Sequence, residues 1–164
     1  MGRFFKADLK VKSIYDIDYA NLKQRGIKAL LFDIDNTIEE YATNVPSEKL
    51  IDFFAKLSEE GFQIGLISNA KYLRVYKFVR GFPKGFPQLH CAAESGKPFR
   101  KAFRLFSSKM DVKRTEMAMI GDQIFTDIWG GNRARCFTIL VKPINLAIEP
   151  RFVKFKRKLE KPFV

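Results

Sequence analysis

A single histidine, two cysteines and no long apolar run narrow this 164-residue chain before any motif is read. Cys91 and Cys136 supply neither a disulfide framework nor a metal-ligand cluster. Each falls in or beside an expected strand, where a small buried hydrophobe is the ordinary place for a cysteine. His90 has no second histidine to work with and lies in an expected strand, so its place is structural. No stretch approaches the ~20 apolar residues that span a bilayer. Residues 1–6 carry no secretory apolar core, and Lys6 stands where a myristoylation signal wants Ser or Thr. Linkers rich in Pro, Gly or Ser, internal repeats and low-complexity tracts are also missing. What remains is a chain that is 46% hydrophobic, long enough for one domain with a real core and expected in the cytoplasm.

Acid is scarce as well. Eighteen Asp and Glu face thirty Lys and Arg, a formal charge of +12. Residues 71–109 hold ten basic side chains and one acid, Glu94; the last fourteen residues hold six basic side chains and one acid, Glu160. A basic surface of this kind favours an anionic partner: a phosphoester, an acidic lipid surface or nucleic acid. Nucleic acid ranks last, because the chain has no recognised nucleic-acid motif and its aromatic residues mostly fit core positions.

Apolar runs alternate with amphipathic stretches. Strands are expected over 28–34, 63–68, 89–93, 117–121 and 137–141. Helices are expected from Pro46-Ser47 to about Glu60, then over about 70–80, 98–108 and 124–133. Residues 81–87, Gly-Phe-Pro-Lys-Gly-Phe-Pro, break both helix and strand and read as a loop. Strands separated by helices of this length imply an α/β fold: a Rossmann-like parallel sheet of about five strands with helices on both faces. One unit is expected over 1–164, with a core at about 28–141 and a basic amphipathic C-terminal segment at about 147–164. Phe4-Phe5, Tyr15 and Tyr19 are left to cover a sheet edge or touch lipid, and Trp129 with Gly130-Gly131 is explained by packing.

Ligands of such a sheet bind beyond the carboxyl ends of its strands, and four short motifs fall there. Asp33-Ile34-Asp35-Asn36-Thr37 follows the run Ala29-Leu30-Leu31-Phe32. Aspartates two apart leave a strand on the same side, as a metal-assisted nucleophile and a neighbouring acid/base require; an acidic turn is the plainer alternative. Ser68-Asn69 ends the second strand and serves either a phosphate corner or a helix cap. Gly96-Lys97-Pro98 sets a lysine before a helix, where a solvated surface lysine is the ordinary case. Gly121-Asp122-Gln123-Ile124-Phe125-Thr126-Asp127 puts two acids around a strand-to-helix turn; capping explains Asp122 more easily than both.

In this order and spacing, over roughly 28–141, the four motifs resemble those of the haloacid dehalogenase-like (HAD) superfamily of phosphohydrolases. The resemblance implies that Asp33 attacks phosphorus to form an aspartyl-phosphate, and that Asp35 serves as acid and then base. It implies that Ser68 and Lys97 hold the transferring oxygens, with Thr37 and Asn69 as further phosphate contacts or shapers of the turn. Mg2+ would be held by Asp33, Asp122 and the backbone carbonyl of Asp35, with Asp127 supporting the metal shell or orienting Lys97.

Thirty residues separate Thr37 from Ser68 and twenty-eight separate Ser68 from Lys97. The expected helices, loops and strands fill both gaps, leaving no room for a large cap domain. An open site suits a phosphate displayed on something large, since it does not enclose a small metabolite. Within the superfamily, Phe-Asp-Ile-Asp-Asn-Thr, Ile-Ser-Asn and Gly-Asp-Gln-Ile-Phe-Thr-Asp resemble the compact YqeG-type subgroup, which is similar to phosphatidylglycerophosphate phosphatases. That resemblance implies a lipid phosphomonoester as substrate; a soluble phosphoester or phosphoprotein is the alternative. A C-terminal helix opening at Pro150 would place Phe152, Phe155 and Leu159 on one face and Arg151, Lys154, Lys158 and Lys161 largely off it. Two readings stay open for it: an element lying on an anionic membrane surface, or a helix docking its apolar stripe on the domain. Glu39-Glu40 has no assigned role.

Overall fold

A computed structural model describes residues 2–163, so Met1 and Val164, the ends of the expected 1–164 unit, lie outside it. Its centre is a parallel sheet of six strands: β1 (Leu9–Val11), β2 (Ala29–Phe32), β3 (Gln63–Ile67), β4 (Leu89–Ala92), β5 (Met117–Gly121) and β6 (Phe137–Val141). Their spatial order is β1-β6-β5-β2-β3-β4. The sixth strand is a correction to the expected five. Leu9-Lys10-Val11 is three residues long with a charge in the middle, so it gives no periodic signal, yet Leu9 pairs with Ile139 and Val11 with Val141. Short, charged strands of this kind suit a sheet edge.

Alternation along the strands divides the core into two layers. Leu30 and Phe32 of β2 join Leu50 and Phe54 on one face, while Ala29 and Leu31 join Phe103 and Phe106 on the other. The first layer is built by α1 (Tyr19–Gln24), α2 (Glu48–Glu59) and α3 (Tyr72–Arg80). In α2, Ser47 caps the first turn by accepting from the Leu50 amide at 3.3 Å, and Leu50, Phe54 and Leu57 form the buried stripe. The second layer uses α4 (Lys101–Lys109) and α5 (Trp129–Ala134). The expected helix over 124–133 is in fact a wide π-type turn, Ile124–Ile128, followed by α5. Cys136 is buried, but Cys91 is exposed because β4 is the sheet's other edge. Tyr19 is buried with its hydroxyl donating to the Ile14 carbonyl, and Phe5 packs on Phe125 and Trp129.

The chain runs from β2 outward to β3 and β4, then returns to β2's other side for β5 and β6. Strand order reverses between β2 and β5, the place where open parallel sheets bind their ligands. Only α2 and a short loop lie between β2 and β3, and only α3 and a loop between β3 and β4, so there is no large cap. A final helix, α6 (Arg151–Glu160), lies beside the carboxyl ends of the strands. Among the described residues no helix is long and apolar enough to cross a membrane.

Candidate active site

Asp33 continues β2 by one residue, its amide donating to the Ile120 carbonyl at 2.9 Å. Asn36 then adopts φ 59°, a left-handed conformation that Asn tolerates. Across the sheet, Gly121 ends β5 and leads into Asp122. The π-type turn that follows brings Asp127 back over Gly121, where a Cβ would sit 2.3 Å from the Asp127 carboxyl carbon. Only glycine permits that approach.

Three carboxylates meet here. One oxygen from each of Asp33, Asp122 and Asp127 lies within 4.8 Å of the others, and all three residues are buried. Lys97 reaches into the cluster from the segment before α4. Its Nζ donates to Asp33 Oδ1 at 2.6 Å and to Asp127 Oδ1 at 2.7 Å. Asn69 fixes the backbone of Lys97 from both sides: its Oδ1 accepts from the Lys97 amide at 2.9 Å and its Nδ2 donates to the Lys97 carbonyl at 3.0 Å. Ser68, buried beside it, accepts from the Ala70 amide at 3.1 Å. The Thr37 hydroxyl donates to Asp122 Oδ1 at 3.0 Å.

Burial dominates the electrostatics. It pushes the Asp33 carboxyl well above the usual carboxylate range, with Lys97 opposing and the charges of Asp127 and Asp122 adding to the rise. Asp122 is pushed up to about 7 by burial and then by Asp127, against the pull of Arg157. For Lys97, burial works against the ammonium, but Asp127 and Asp33 outweigh it and hold the proton on.

Arg157, from α6, is a residue of the cluster that sequence reasoning missed. Its guanidinium pairs with Asp122 Oδ2 and with Glu149, and donates to the Asp122 carbonyl at 3.1 Å. Glu149 also accepts from Asn36 Nδ2 at 2.6 Å, tying the loop before α6 to the first motif. Four buried carboxylates (Asp33, Asp122, Asp127 and Glu149) thus face two cations, Lys97 and Arg157. The missing two positive charges are what one divalent cation supplies, and a set of hard oxygens suits such an ion. The donor set therefore fits a metal.

Asp35 stands apart from this cluster. Its carboxylate pairs with Arg74 of α3 and accepts from the Ala42 amide at 2.8 Å. Asp33 and Asp35 nonetheless share one cavity of about 320 Å3, walled by Ser68, Asn69 and Lys97, by Lys71 and Arg74 at the start of α3, and by Phe152 and Lys156 of α6. Tyr41 and Lys156 also line it and were unforeseen, since nothing marks them in a chain this rich in bases and aromatics. Glu39 accepts from the Ser47 amide at 2.8 Å and Glu40 from Asn145 at 3.2 Å, which gives that pair a structural role.

Of the two readings open for α6, docking through Phe152, Phe155 and Leu159 does not occur, since all three are exposed. The helix turns Val153, Arg157 and Glu160 inward instead. Arg157 finds buried carboxylates, and Glu160 accepts from the Phe125 amide at 2.9 Å, so a partly polar face packs without an unpaired group.

Similarity to known proteins identifies the family. A HAD-hydrolase-like family model matches residues 94–143. The chain is 36% identical over 162 residues to the probable phosphatase YqeG of Bacillus subtilis, covering 98% of this chain and 90% of that one. It is 29% identical to the chloroplastic/mitochondrial phosphatidylglycerophosphate phosphatase 1 of Arabidopsis thaliana, over 96% of this chain but only 47% of the plant protein, so it spans about half of that relative. Among solved structures, the cobalt-bound deoxy-D-mannose-octulosonate 8-phosphate phosphatase of Haemophilus influenzae shares the fold, with a TM-score of 0.53 over 85% of each chain at 14% identity. Fold, four ordered motifs and near full-length similarity agree: this chain belongs to the HAD-like hydrolases and is a phosphatase of the group that contains YqeG.

Proposed function

We propose that this phosphatase is a magnesium-dependent phosphomonoester hydrolase that works through an aspartyl-phosphate on Asp33, with phosphatidylglycerophosphate as its substrate. The observation that carries the proposal is the buried Lys97 bridge between Asp33 and Asp127, beside Asp122 at the point where strand order reverses. Lys97 holds the Asp33 carboxylate in place through Oδ1. Attack forms an Asp33–phosphorus bond as the bond to the leaving oxygen breaks, and Asp35 gives that oxygen its proton. Water then attacks phosphorus, Asp35 takes the water's proton, and Asp33 is released.

Ser68 and Lys97 hold phosphoryl oxygens through this exchange, because phosphoryl transfer depends on positioning and charge stabilisation more than on covalent help. Asn69 acts through the Lys97 backbone, and Thr37 through Asp122. Asp33, Asp122 and the Asp35 carbonyl would hold Mg2+, with Asp127 orienting Lys97 next to it. When bound, the ion supplies charge neutralisation at the phosphoryl oxygens.

Similarity to the plant enzyme and the uncapped cavity mouth support the lipid substrate; the place proposed for the protein is the cytoplasm, at an anionic membrane surface. The test is phosphate release from phosphatidylglycerophosphate in mixed micelles against a panel of sugar and nucleotide phosphates, with and without Mg2+. The lipid is expected to be preferred, with Asp33→Asn slower by about 10³-fold or more at unchanged fold. Preference for the soluble panel would contradict the substrate, and an active Asp33→Asn would contradict the nucleophile.

A further inference from the structure

We propose that the face carrying the mouth of the catalytic cavity is a docking surface for an anionic lipid bilayer, with α6 and α3 as its two ridges. The cavity opens between these helices: Lys71 and Arg74 line one side, Phe152 and Lys156 the other. Both helices turn apolar side chains outward. On α6, Phe152, Phe155 and Leu159 are 59%, 61% and 51% exposed; on α3, Tyr72 and Leu73 are 65% and 62% exposed. An amphipathic helix ordinarily buries its apolar stripe. Here α6 is held by Val153, Arg157 and Glu160, so its aromatic stripe has no part in holding the fold. The loop before α6 adds exposed Leu146 and Ile148. Leu146 also lines an apolar cavity of about 470 Å3 with Arg157, Glu160 and Lys161, on the flank of α6 away from Phe152 and Lys156.

Charge selects the partner. Over residues 142–163 the acids, Glu149 and Glu160, are both buried, while Lys142, Arg151, Lys154, Lys158 and Lys161 are all exposed. Helix α3 carries Arg74, Lys77 and Arg80 and no acid. Protein interfaces are depleted in lysine. A nucleic acid would use the cations and stack on rings, but it offers nothing to Leu73 or Leu159. An anionic bilayer answers both features: rings and aliphatic chains enter the boundary between headgroups and acyl chains, and the negative surface attracts the lysines. Docked this way, the cavity mouth faces the headgroups. Bilayer docking deepens the lipid-phosphate reading above and rests on it for its purpose, yet vesicle binding is measured without turnover.

The experiment is co-sedimentation of the full chain with vesicles of phosphatidylcholine alone or mixed with phosphatidylglycerol. Hydrolysis of a soluble phosphomonoester is followed in parallel. Binding is expected only to the anionic vesicles. It should fall by about tenfold or more in Phe155→Ser/Leu159→Ser, and again in Arg151→Glu/Lys158→Glu. Neither pair lines the catalytic cavity, so soluble-substrate turnover should stay at the wild-type level and report that both variants fold. Undiminished vesicle binding in the two variants would overturn the docking surface. So would a wild type that ignores anionic vesicles but binds single-stranded RNA with a steep salt dependence. A wild type that releases phosphate from neither the soluble ester nor the lipid would strike the phosphatase chemistry and leave the binding result standing.

Discussion

Around Asp33 the strand ends bury charged groups and pair them, whereas α6 turns its aromatic groups outward and its charged Arg157 and Glu160 inward. Both regions invert the ordinary rule of apolar inside and polar outside. The inversions have different causes. Around the strand ends, four buried carboxylates face two cations, Lys97 and Arg157, in a donor set that fits a divalent ion. On α6 the buried charges fasten a helix to that same cluster, which leaves the apolar stripe exposed. Arg157 joins the two regions, since one guanidinium pairs with both Asp122 and Glu149.

The widest contrast should come from stability. Lys97→Met leaves Asp33 and Asp127 without their shared cation, and breaking a buried pair in this way costs about 3–5 kcal/mol. Phe155→Ser, on the exposed stripe, should stay within about 0.5 kcal/mol of wild type. Urea unfolding of the two variants measures the difference; equal losses would erase the distinction between the regions.

Titration gives a smaller, sharper effect. Asp122 has a folded-state value of about 7 against an ordinary 3.8, so its stabilising contribution is complete below the ordinary value and is lost as pH rises through about 7. Metal-free protein should therefore lose stability between those limits. Binding of Mg2+ at pH about 6 should release protons that are no longer there to release well above pH 7. Calorimetry in buffers of different ionisation enthalpy checks this. Heats that do not depend on the buffer would mean that Asp122 is already ionised.

The sequence made the cluster readable because its parts occupy strand ends. Alternation puts Asp33 and Asp35 on one side, and apolar runs announce β2, β3, β5 and β6. Three things were hidden for separate physical reasons. β1 is too short and too charged to show a period. The π-type turn that returns Asp127 to Gly121 depends on a close contact rather than a pattern. On α6, Phe152, Phe155 and Leu159 gave the stronger hydrophobic stripe, and nothing local revealed that Arg157 had carboxylates waiting for it. Periodicity finds faces, but it does not say which face a domain will take when the polar one can be fully paired.

Peptide mapping after acid quench tests the central claim most directly. With a substrate radiolabelled in its terminal phosphate and turnover stopped at steady state, the label should be found on the peptide containing Asp33 and be absent from Asp33→Asn. Label on another residue, or turnover with no labelled peptide under conditions that preserve acyl phosphates, would contradict Asp33 as the group that accepts the phosphoryl.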